Sequence, residues 1–163
     1  MPDIQIIRAE TPEDIAAVKA LFIDYLQFVT DYLGQDLSFQ GTEKEFADFP
    51  QTYTSLFLAK QGNTALGACG LKNLPTNLID PNGIPELKRL YVSPAGRGHS
   101  LGQRLSQAVI DDARGHGHAH LYLDTDPGLT HANAIYEALG FEDIPLYYDN
   151  PLGGQSRYMR LKL

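Results

Sequence analysis

The chain of 163 residues contains one cysteine, Cys69, and no tryptophan. A single cysteine cannot form a disulfide bond within the chain, so nothing in the sequence indicates an oxidising compartment. Apolar runs are also short, and none approaches the roughly 18 residues that a membrane helix requires. Residues 1–5 lack the basic and apolar regions of a signal peptide. We therefore expect a cytoplasmic protein with no membrane partner.

Basic residues are outnumbered, since 13 Lys and Arg stand against 20 Asp and Glu and the formal net charge is −7. Binding to a nucleic-acid backbone depends on clustered Lys and Arg, so we expect no nucleic-acid partner. An acidic protein mildly attracts a cation such as a protonated amine. The length suits one domain with a substantial core, and no linker or repeat interrupts it. Residues 1–163 are therefore predicted to form a single domain.

The apolar residues follow strand and helix patterns in alternation, which favours an α/β fold with one central sheet. Thr11-Pro12-Glu13-Asp14 predicts the start of a helix, because a hydroxyl cap, a proline and acids suit the first turn. Gly34 is placed to end this helix. Strands are predicted at 4–8, 54–59, 65–71, 86–92, 120–123, 141–142 and 157–161. Further helices are predicted at 43–49, from 101 to about 115, and between a cap at Thr130 and Gly140.

The most informative segment is a strand, a short loop and the start of a helix. The loop contains Pro94, Gly96 and Gly98, and glycine lets the backbone turn tightly and approach a ligand closely. Free N–H groups at a helix N-terminus attract phosphate oxygens, and Arg97 and Arg104 add positive charge. The segment therefore suits a diphosphate, although the same residues would also suit a connection that binds nothing. It is neither a Walker loop nor a dinucleotide fingerprint, because the glycine spacing differs from both.

Residues 97–102, Arg-Gly-His-Ser-Leu-Gly, resemble the acyl-CoA loop of the GNAT acetyltransferases, whose pattern is Gln/Arg-x-x-Gly-x-Gly/Ala. Residues 86–92 resemble the fourth strand of that family, and residues 133–141 resemble its later motif, which contains a tyrosine and ends in Gly-Phe. Residues 37–40 and 147–151 resemble stretches of a bacterial subgroup. The three main blocks occur in the family's order, and the resemblance covers nearly the whole chain.

The resemblance implies a mixed, twisted sheet flanked by helices, which opens between residues 86–92 and 120–124 to admit acyl-CoA. It also implies direct transfer of an acyl group, most often acetyl from acetyl-CoA, to an amine without a metal. The sequence departs from the family at Ser100, where the pattern has glycine. That departure leaves open whether coenzyme binding is weakened.

Two residues are the candidates for acid–base chemistry. Glu86 begins the strand that would run beside the thioester, so it is the candidate base for the amine; the alternative is a solvated carboxylate or one paired with Lys88 or Arg89. Tyr136 resembles the family tyrosine that faces the coenzyme sulfur and protonates the leaving thiolate. The alternative for Tyr136 is simple packing of the helix on the sheet.

The resemblance also assigns a coenzyme site. It implies that Asn133 donates a hydrogen bond to the pantetheine or phosphate portion, although a surface asparagine is an equally good interpretation. The remaining predicted contacts come from the strand backbone, the loop, the first helical turn and the tyrosine: Leu90, Tyr91, Val92, Arg97, Gly98, His99, Ser100, Leu101, Gly102, Gln103, Arg104 and Tyr136.

The acceptor site is expected near Tyr147, Tyr148 and Asp149, because a tyrosine pair after a proline is not easily explained as core. A small-molecule amine is the favoured acceptor, and the protein is expected to be a monomer or a homodimer. Two alternatives stay open. One is an enzyme that acetylates protein N-termini or lysines, and the other is a non-catalytic, CoA-binding regulatory module, which the serine in the loop suggests.

A metal site is not expected. His116, His118 and His120 alternate along the chain, but the first two fall at a helix-to-strand turn and no second group of ligands accompanies them. Cys69 lies among small residues of a strand, where a free cysteine usually packs rather than reacts.

Overall fold

The computed structural model describes residues 2–34, 42–74, 83–148 and 156–163. Within them, seven strands form one sheet in the order β1-β2-β3-β4-β5-β7-β6. The strands are β1 (Ile4–Arg8), β2 (Ser55–Gln61), β3 (Thr64–Leu74), β4 (Ile84–Val92), β5 (His120–Thr125), β6 (Glu142–Asp143) and β7 (Arg157–Lys162). The helices are α1 (Pro12–Leu33), α2 (Thr42–Ala47), α3 (Leu101–Gly115) and α4 (Thr130–Leu139).

Neighbouring strands are antiparallel except β4 and β5, which are parallel. This mixed sheet with flanking helices confirms the predicted fold class. Among the described residues, no helix is both long and apolar enough to cross a membrane.

The ends of α1 are those that the sequence predicts. The Thr11 hydroxyl accepts a hydrogen bond from the Asp14 N–H at 3.2 Å, which satisfies one of the free N–H groups of the first turn. Gly34 ends the helix with φ at 66°, a left-handed conformation that glycine adopts without steric cost. The prediction for α4 is wrong in one detail. Thr130 is its first helical residue, and Leu129 precedes the helix without a side-chain cap.

The two faces of the sheet carry different helices, because successive strand residues point to opposite sides. On one face, α1 packs its buried Val18 and Phe22 against Leu56, Leu58 and Ala68. On the other face, α3 and α4 cover residues that alternate with these. The core of that second face includes Phe57, Cys69, Leu71, Leu87, Leu101, Leu105, Val109, Leu121, Leu123 and Tyr136.

A β-bulge interrupts β4 in its middle. The register between β3 and β4 shifts between Ala68 and Gly70, so Cys69 lies opposite two residues, Arg89 and Leu90. Arg89 has φ at 61°, which is rare for a residue other than glycine. Beyond the bulge, β4 continues along β3, whereas its register with β5 consists of the single pair that precedes the bulge, Glu86 opposite Tyr122. The pairing of β4 with β5 therefore ends where the opening was predicted.

A buried ion pair ties this bulge to α2. The Arg89 guanidinium lies 3.3 Å from a carboxylate oxygen of Glu45, and both residues are buried. The Tyr53 hydroxyl donates a 2.8 Å hydrogen bond to the same carboxylate. Because a buried charge is tolerated only when it is paired, these three side chains stabilise one another.

Gly96, in the tight turn before α3, lies close to β3, and a substitution can test this contact. A Cβ added to the buried Gly96 would lie 2.9 Å from the Leu66 carbonyl oxygen and 3.1 Å from Leu101. The backbone of β3 would have to shift, so Gly96→Ala should lower the free energy of unfolding by about 1–3 kcal/mol. Gly115→Ala is the control, since nothing lies within 4 Å of its added Cβ. Urea unfolding of the two variants should separate them; equal stability would contradict the close approach at Gly96.

Candidate active site

Glu86 is almost completely buried, with 1% of its surface exposed, so it is not the solvated strand-end carboxylate that the sequence left open. It lies on β4 beside the opening and on the face that α1 covers. The Tyr147 hydroxyl donates a 2.6 Å hydrogen bond to Oε2 of Glu86. The other oxygen, Oε1, accepts no hydrogen bond from any described residue. Lys88 lies 3.9 Å from it, which is the loose pairing expected as an alternative.

The protonation of Glu86 follows from this environment. Burial raises the pKa of Glu86, the ammonium of Lys88 opposes the rise, and the negative charge of Asp124 adds to it. A carboxyl whose pKa is raised toward neutrality takes and releases a proton more readily at physiological pH. The free Oε1 is the atom at which such a proton can be received.

Sequence reasoning did not assign Asp124 or Lys88 to this site. Lys88 Nζ lies 3.5 Å from Asp124 Oδ1, and the Tyr148 hydroxyl donates a 2.7 Å hydrogen bond to Asp124 Oδ2. The alternation of side chains along a strand could have placed both residues at this site. Asp124 follows Tyr122 by two residues on β5, and Lys88 follows Glu86 by two residues on β4. Both pairs therefore point to the same face.

The two tyrosines that were predicted to contact the acceptor thus hold the two carboxylates. Tyr147 is buried and Tyr148 is half-buried, and their rings pack with Tyr122 and Tyr158 into one aromatic cluster. The Tyr147 hydroxyl lies directly beside the candidate base, and the Tyr148 hydroxyl lies beside Asp124. Asp149, the third residue predicted at the acceptor site, lies outside the described residues.

Tyr136 lies on α4, on the opposite face of the sheet from Glu86. Its side chain is 6% exposed, and its ring packs edge-on against Phe141 at 5.9 Å. Burial raises the pKa of Tyr136 well above its ordinary value of 10, and nearby Tyr25, Cys69 and Asp124 raise it further. The phenol is therefore neutral. A position of the Tyr136 hydroxyl beside the coenzyme sulfur stays a prediction.

Two residues of the loop before α3 have a left-handed backbone conformation. Gly98 has φ at 85°, and Ser100, at the N-cap of α3, has φ at 55° and ψ at 30°. The Ser100 carbonyl accepts the first hydrogen bond of the helix, from the Arg104 N–H at 3.0 Å. The N–H groups of residues 101–103 precede this bond and have no partner within the helix. Serine thus takes the conformation that glycine takes more easily, at a cost of about 1–2 kcal/mol.

The other residues predicted at the coenzyme site divide by exposure. Arg97, Gly98, His99, Ser100, Gln103 and Arg104 are exposed, Leu101 and Gly102 are buried, and Leu90, Tyr91 and Val92 are half-buried. A Cβ on Gly102 would lie 2.7 Å from Ile135 Cδ1, so glycine lets α3 pack closely on α4. The guanidinium of Arg104 donates a 2.8 Å hydrogen bond to the Ile4 carbonyl, so it contacts β1.

Asn133 is buried at the start of α4, and its amide is used within the protein. Its side-chain oxygen accepts from the Thr125 hydroxyl at 2.9 Å, and its nitrogen donates to the Asp126 carbonyl at 3.0 Å. These bonds fix the connection between β5 and α4. A contact between Asn133 and the coenzyme stays a prediction.

The described part of the chain contains no group of three or more His, Cys, Asp or Glu side chains arranged to hold a metal ion. His116 instead lies 3.4 Å from Asp112, one helical turn earlier. Burial raises the pKa of the Cys69 thiol, which therefore stays protonated rather than acting as a nucleophile.

Comparisons with known proteins identify the family. The sequence profile of the acetyltransferase (GNAT) family matches residues 19–141, and the chain belongs to this family. An uncharacterized N-acetyltransferase from Schizosaccharomyces pombe is 32% identical over 169 residues, which cover 99% of this chain and 96% of that protein.

Solved structures share the fold at lower identity. An acetyltransferase of the GNAT family from Staphylococcus aureus superposes with a TM-score of 0.74 at 20% identity, over 98% of this chain and 99% of that one. An acetyltransferase from Salmonella typhimurium, solved with its cofactor acetyl-CoA, gives a TM-score of 0.69 at 16% identity, over 98% and 94% of the two chains.

The buried carboxyl should make stability depend on pH. Unfolded, Glu86 ionises near its ordinary pKa of 4.5, whereas in the folded protein its pKa is higher. Folding then takes up a proton between these two values, so the carboxyl costs stability as the pH rises above 4.5. Glu86→Gln should raise the free energy of unfolding at pH 7 and change it little near pH 4. Each unit of raised pKa corresponds to about 1.4 kcal/mol.

Urea unfolding between pH 4 and pH 8 measures this difference. The exposed Glu142→Gln is the control and should show no such trend. A loss of stability in Glu86→Gln at pH 7 would mean that the attraction of Lys88 outweighs the cost of burying the charge.

Proposed function

We propose that the protein transfers an acyl group, most often acetyl, from acyl-CoA directly to the amine of a small molecule. The observation that carries this proposal is the buried Glu86 on β4, where the pairing with β5 ends, together with the buried Tyr136 in the core of the opposite face of the sheet. One is a buried carboxyl with a free oxygen, and the other is a neutral phenol. The proposal keeps the expected single domain and cytoplasmic location.

The residues around the opening fit acetyl-CoA. Gly98 has no neighbour within 4 Å of a Cβ position, so its backbone is open to a ligand. The left-handed loop leads into the free N–H groups of α3, and Arg97 adds a positive charge that pairs with no described carboxylate. These groups would hold the diphosphate, and the backbone of residues 90–92 would hold the pantetheine arm. Acetyl-CoA supplies an activated acyl thioester.

The chain's own residues then provide the proton transfers. Glu86 takes the proton of the attacking amine at Oε1, directly or through a water molecule, while Tyr147 holds Oε2 in place. A backbone N–H of β4 polarises the acyl carbonyl. The C–N bond forms as the C–S bond breaks, and Tyr136 donates its proton to the departing sulfur. Because the phenol is neutral, it carries the proton that stabilises the sulfur as negative charge develops there.

Kinetics of two variants test these roles. Loss of a general acid or base costs about 10²–10⁴ in rate, so Glu86→Gln and Tyr136→Phe should each lower kcat by that factor. The base acts when ionised, so wild-type kcat/KM should rise with pH through the raised pKa of Glu86, and Glu86→Gln should lack that rise. Glu142→Gln is the charge control. An unchanged pH–rate profile in Glu86→Gln would remove Glu86 from the role of base.

Coenzyme binding is tested by thermal shift with acetyl-CoA and with CoA. A ligand that binds only the folded state raises its stability by RT ln(1 + [L]/Kd), so a saturating coenzyme should raise Tm clearly. Ser100→Gly should keep or enlarge the shift, because glycine adopts the left-handed conformation freely. Ser100→Val should lose it, because a β-branched residue strongly disfavours that conformation.

The outcomes separate the alternatives. A strong shift without transfer to any amine in a broad panel would favour the non-catalytic module. The absence of a shift in the wild type, with a shift in Ser100→Gly, would mean that the loop has lost its coenzyme.

A further inference from the structure

Lys72 is a half-buried cation on the same face of the sheet as Glu86. It lies on β3 directly opposite Glu86 in the register of β3 and β4. Side chains in such cross-strand pairs leave the sheet on the same side, with Cβ atoms about 4.5–5.5 Å apart. Lys72 therefore lies beside the candidate base, on the side toward α2.

The neighbouring cations are paired with carboxylates, whereas Lys72 has no such partner among the described residues. Lys88 lies between Glu86 and Asp124, and Arg89 lies 3.3 Å from Glu45. Within the described part of the chain, no carboxylate lies within 4.0 Å of the Lys72 ammonium. Its one specific contact is with the face of the Tyr53 ring, 5.9 Å from the ring centroid.

The surroundings of Lys72 disfavour its charge. Burial lowers the pKa of Lys72, and the nearby positive charges of Lys88 and Arg89 lower it further, although Glu45 and Glu86 oppose them from a distance. A partly desolvated ammonium without a counterion costs free energy. A bound anion would offset that cost and complete the set of charges on this face.

We infer that Lys72 binds a carboxylate of the acceptor, so that the acceptor is a small aminocarboxylate whose amine is placed at Glu86. This inference rests on the proposed function and narrows its substrate. Because Lys72 and Glu86 are cross-strand neighbours, the amine and the carboxylate of the acceptor must be only a few bonds apart. A polyamine, which the acidic composition alone would favour, has no group for Lys72.

The test compares acceptors that differ only at the anionic group. Free L-amino acids and the corresponding L-amino acid amides are assayed with the wild type and with Lys72→Gln. Lys72→Gln should lower the acid-to-amide ratio of kcat/KM at least tenfold, about the contribution of a charged hydrogen bond, through KM rather than kcat. Comparing the ratio between the two proteins cancels the different basicity of the acids and amides.

Two further variants distinguish carboxylate binding by Lys72 from a purely structural role of its side chain. Lys72→Arg keeps the charge and should restore most of the ratio. Lys162→Gln, which removes an exposed lysine of β7, should leave the ratio unchanged. If Lys72→Gln lowers stability but leaves the acid-to-amide ratio as in the wild type, Lys72 only packs on Tyr53 and the inference is wrong.

A binding measurement keeps the inference separate from the proposed function. In the presence of saturating CoA, free amino acids should raise the Tm of the wild type and fail to raise that of Lys72→Gln. If no amine is acetylated but this difference is present, the proposed transfer fails and the carboxylate site stands. If amides are acetylated as well as acids and neither stabilises the wild type preferentially, transfer stands and the carboxylate site is overturned.

Discussion

The bulge at Arg89 is the constraint on which the site depends. Arg89 holds a left-handed conformation in the middle of β4, which costs about 1–2 kcal/mol, and its guanidinium is buried against Glu45. The ion pair with Glu45, supported by the hydroxyl of Tyr53, offsets these costs. The extra residue lets β4 remain paired with β3 while the strand bends away from β5. Without the bulge, the parallel pair would continue beyond Glu86 and close the opening.

The candidate acid and the candidate base lie on opposite faces of the sheet, in different surroundings. Glu86 and Asp124 lie on one face among tyrosine hydroxyls, where each carboxylate keeps one firm hydrogen bond. Tyr136 lies on the other face, in an apolar core that keeps its phenol protonated. The two groups proposed as base and acid therefore have environments that shift their proton affinities separately.

The features that local sequence determines were predictable. The cap at Thr11, the glycine that ends α1 and the turn between β2 and β3 depend on residues that act on their own backbone. The loop before α3 was predictable from its glycines and from the family resemblance. The placement of Glu86 at the start of β4 followed from the same pattern, although its burial did not.

The features that tertiary contacts decide were not predictable. Arg89 looks like an ordinary exposed residue of a strand, because nothing near it in the sequence indicates its left-handed backbone or its buried ion pair with Glu45, which is distant in sequence. The side-chain amide of Asn133 makes its hydrogen bonds within the β5–α4 connection, and a sequence motif does not reveal these partners. The partners of Tyr147 and Tyr148 lie on other strands, so the sequence indicated a polar site without showing that the hydroxyls bind the two carboxylates.

Two carboxylates lie at the candidate site, and their hydrogen bonds favour Glu86 over Asp124 as the proposed base. Asp124 is engaged at both oxygens, by the Tyr148 hydroxyl at 2.7 Å and by Lys88 at 3.5 Å. Glu86 is engaged firmly at Oε2 only, and Lys88 lies farther away, at 3.9 Å from Oε1. By holding Lys88 closer to itself, Asp124 weakens the attraction that would lower the proton affinity of Glu86, and its own negative charge raises that affinity. Asp124 therefore raises the proton affinity of Glu86, and of these two carboxylates Glu86 is the one with an oxygen that accepts no hydrogen bond from the described residues.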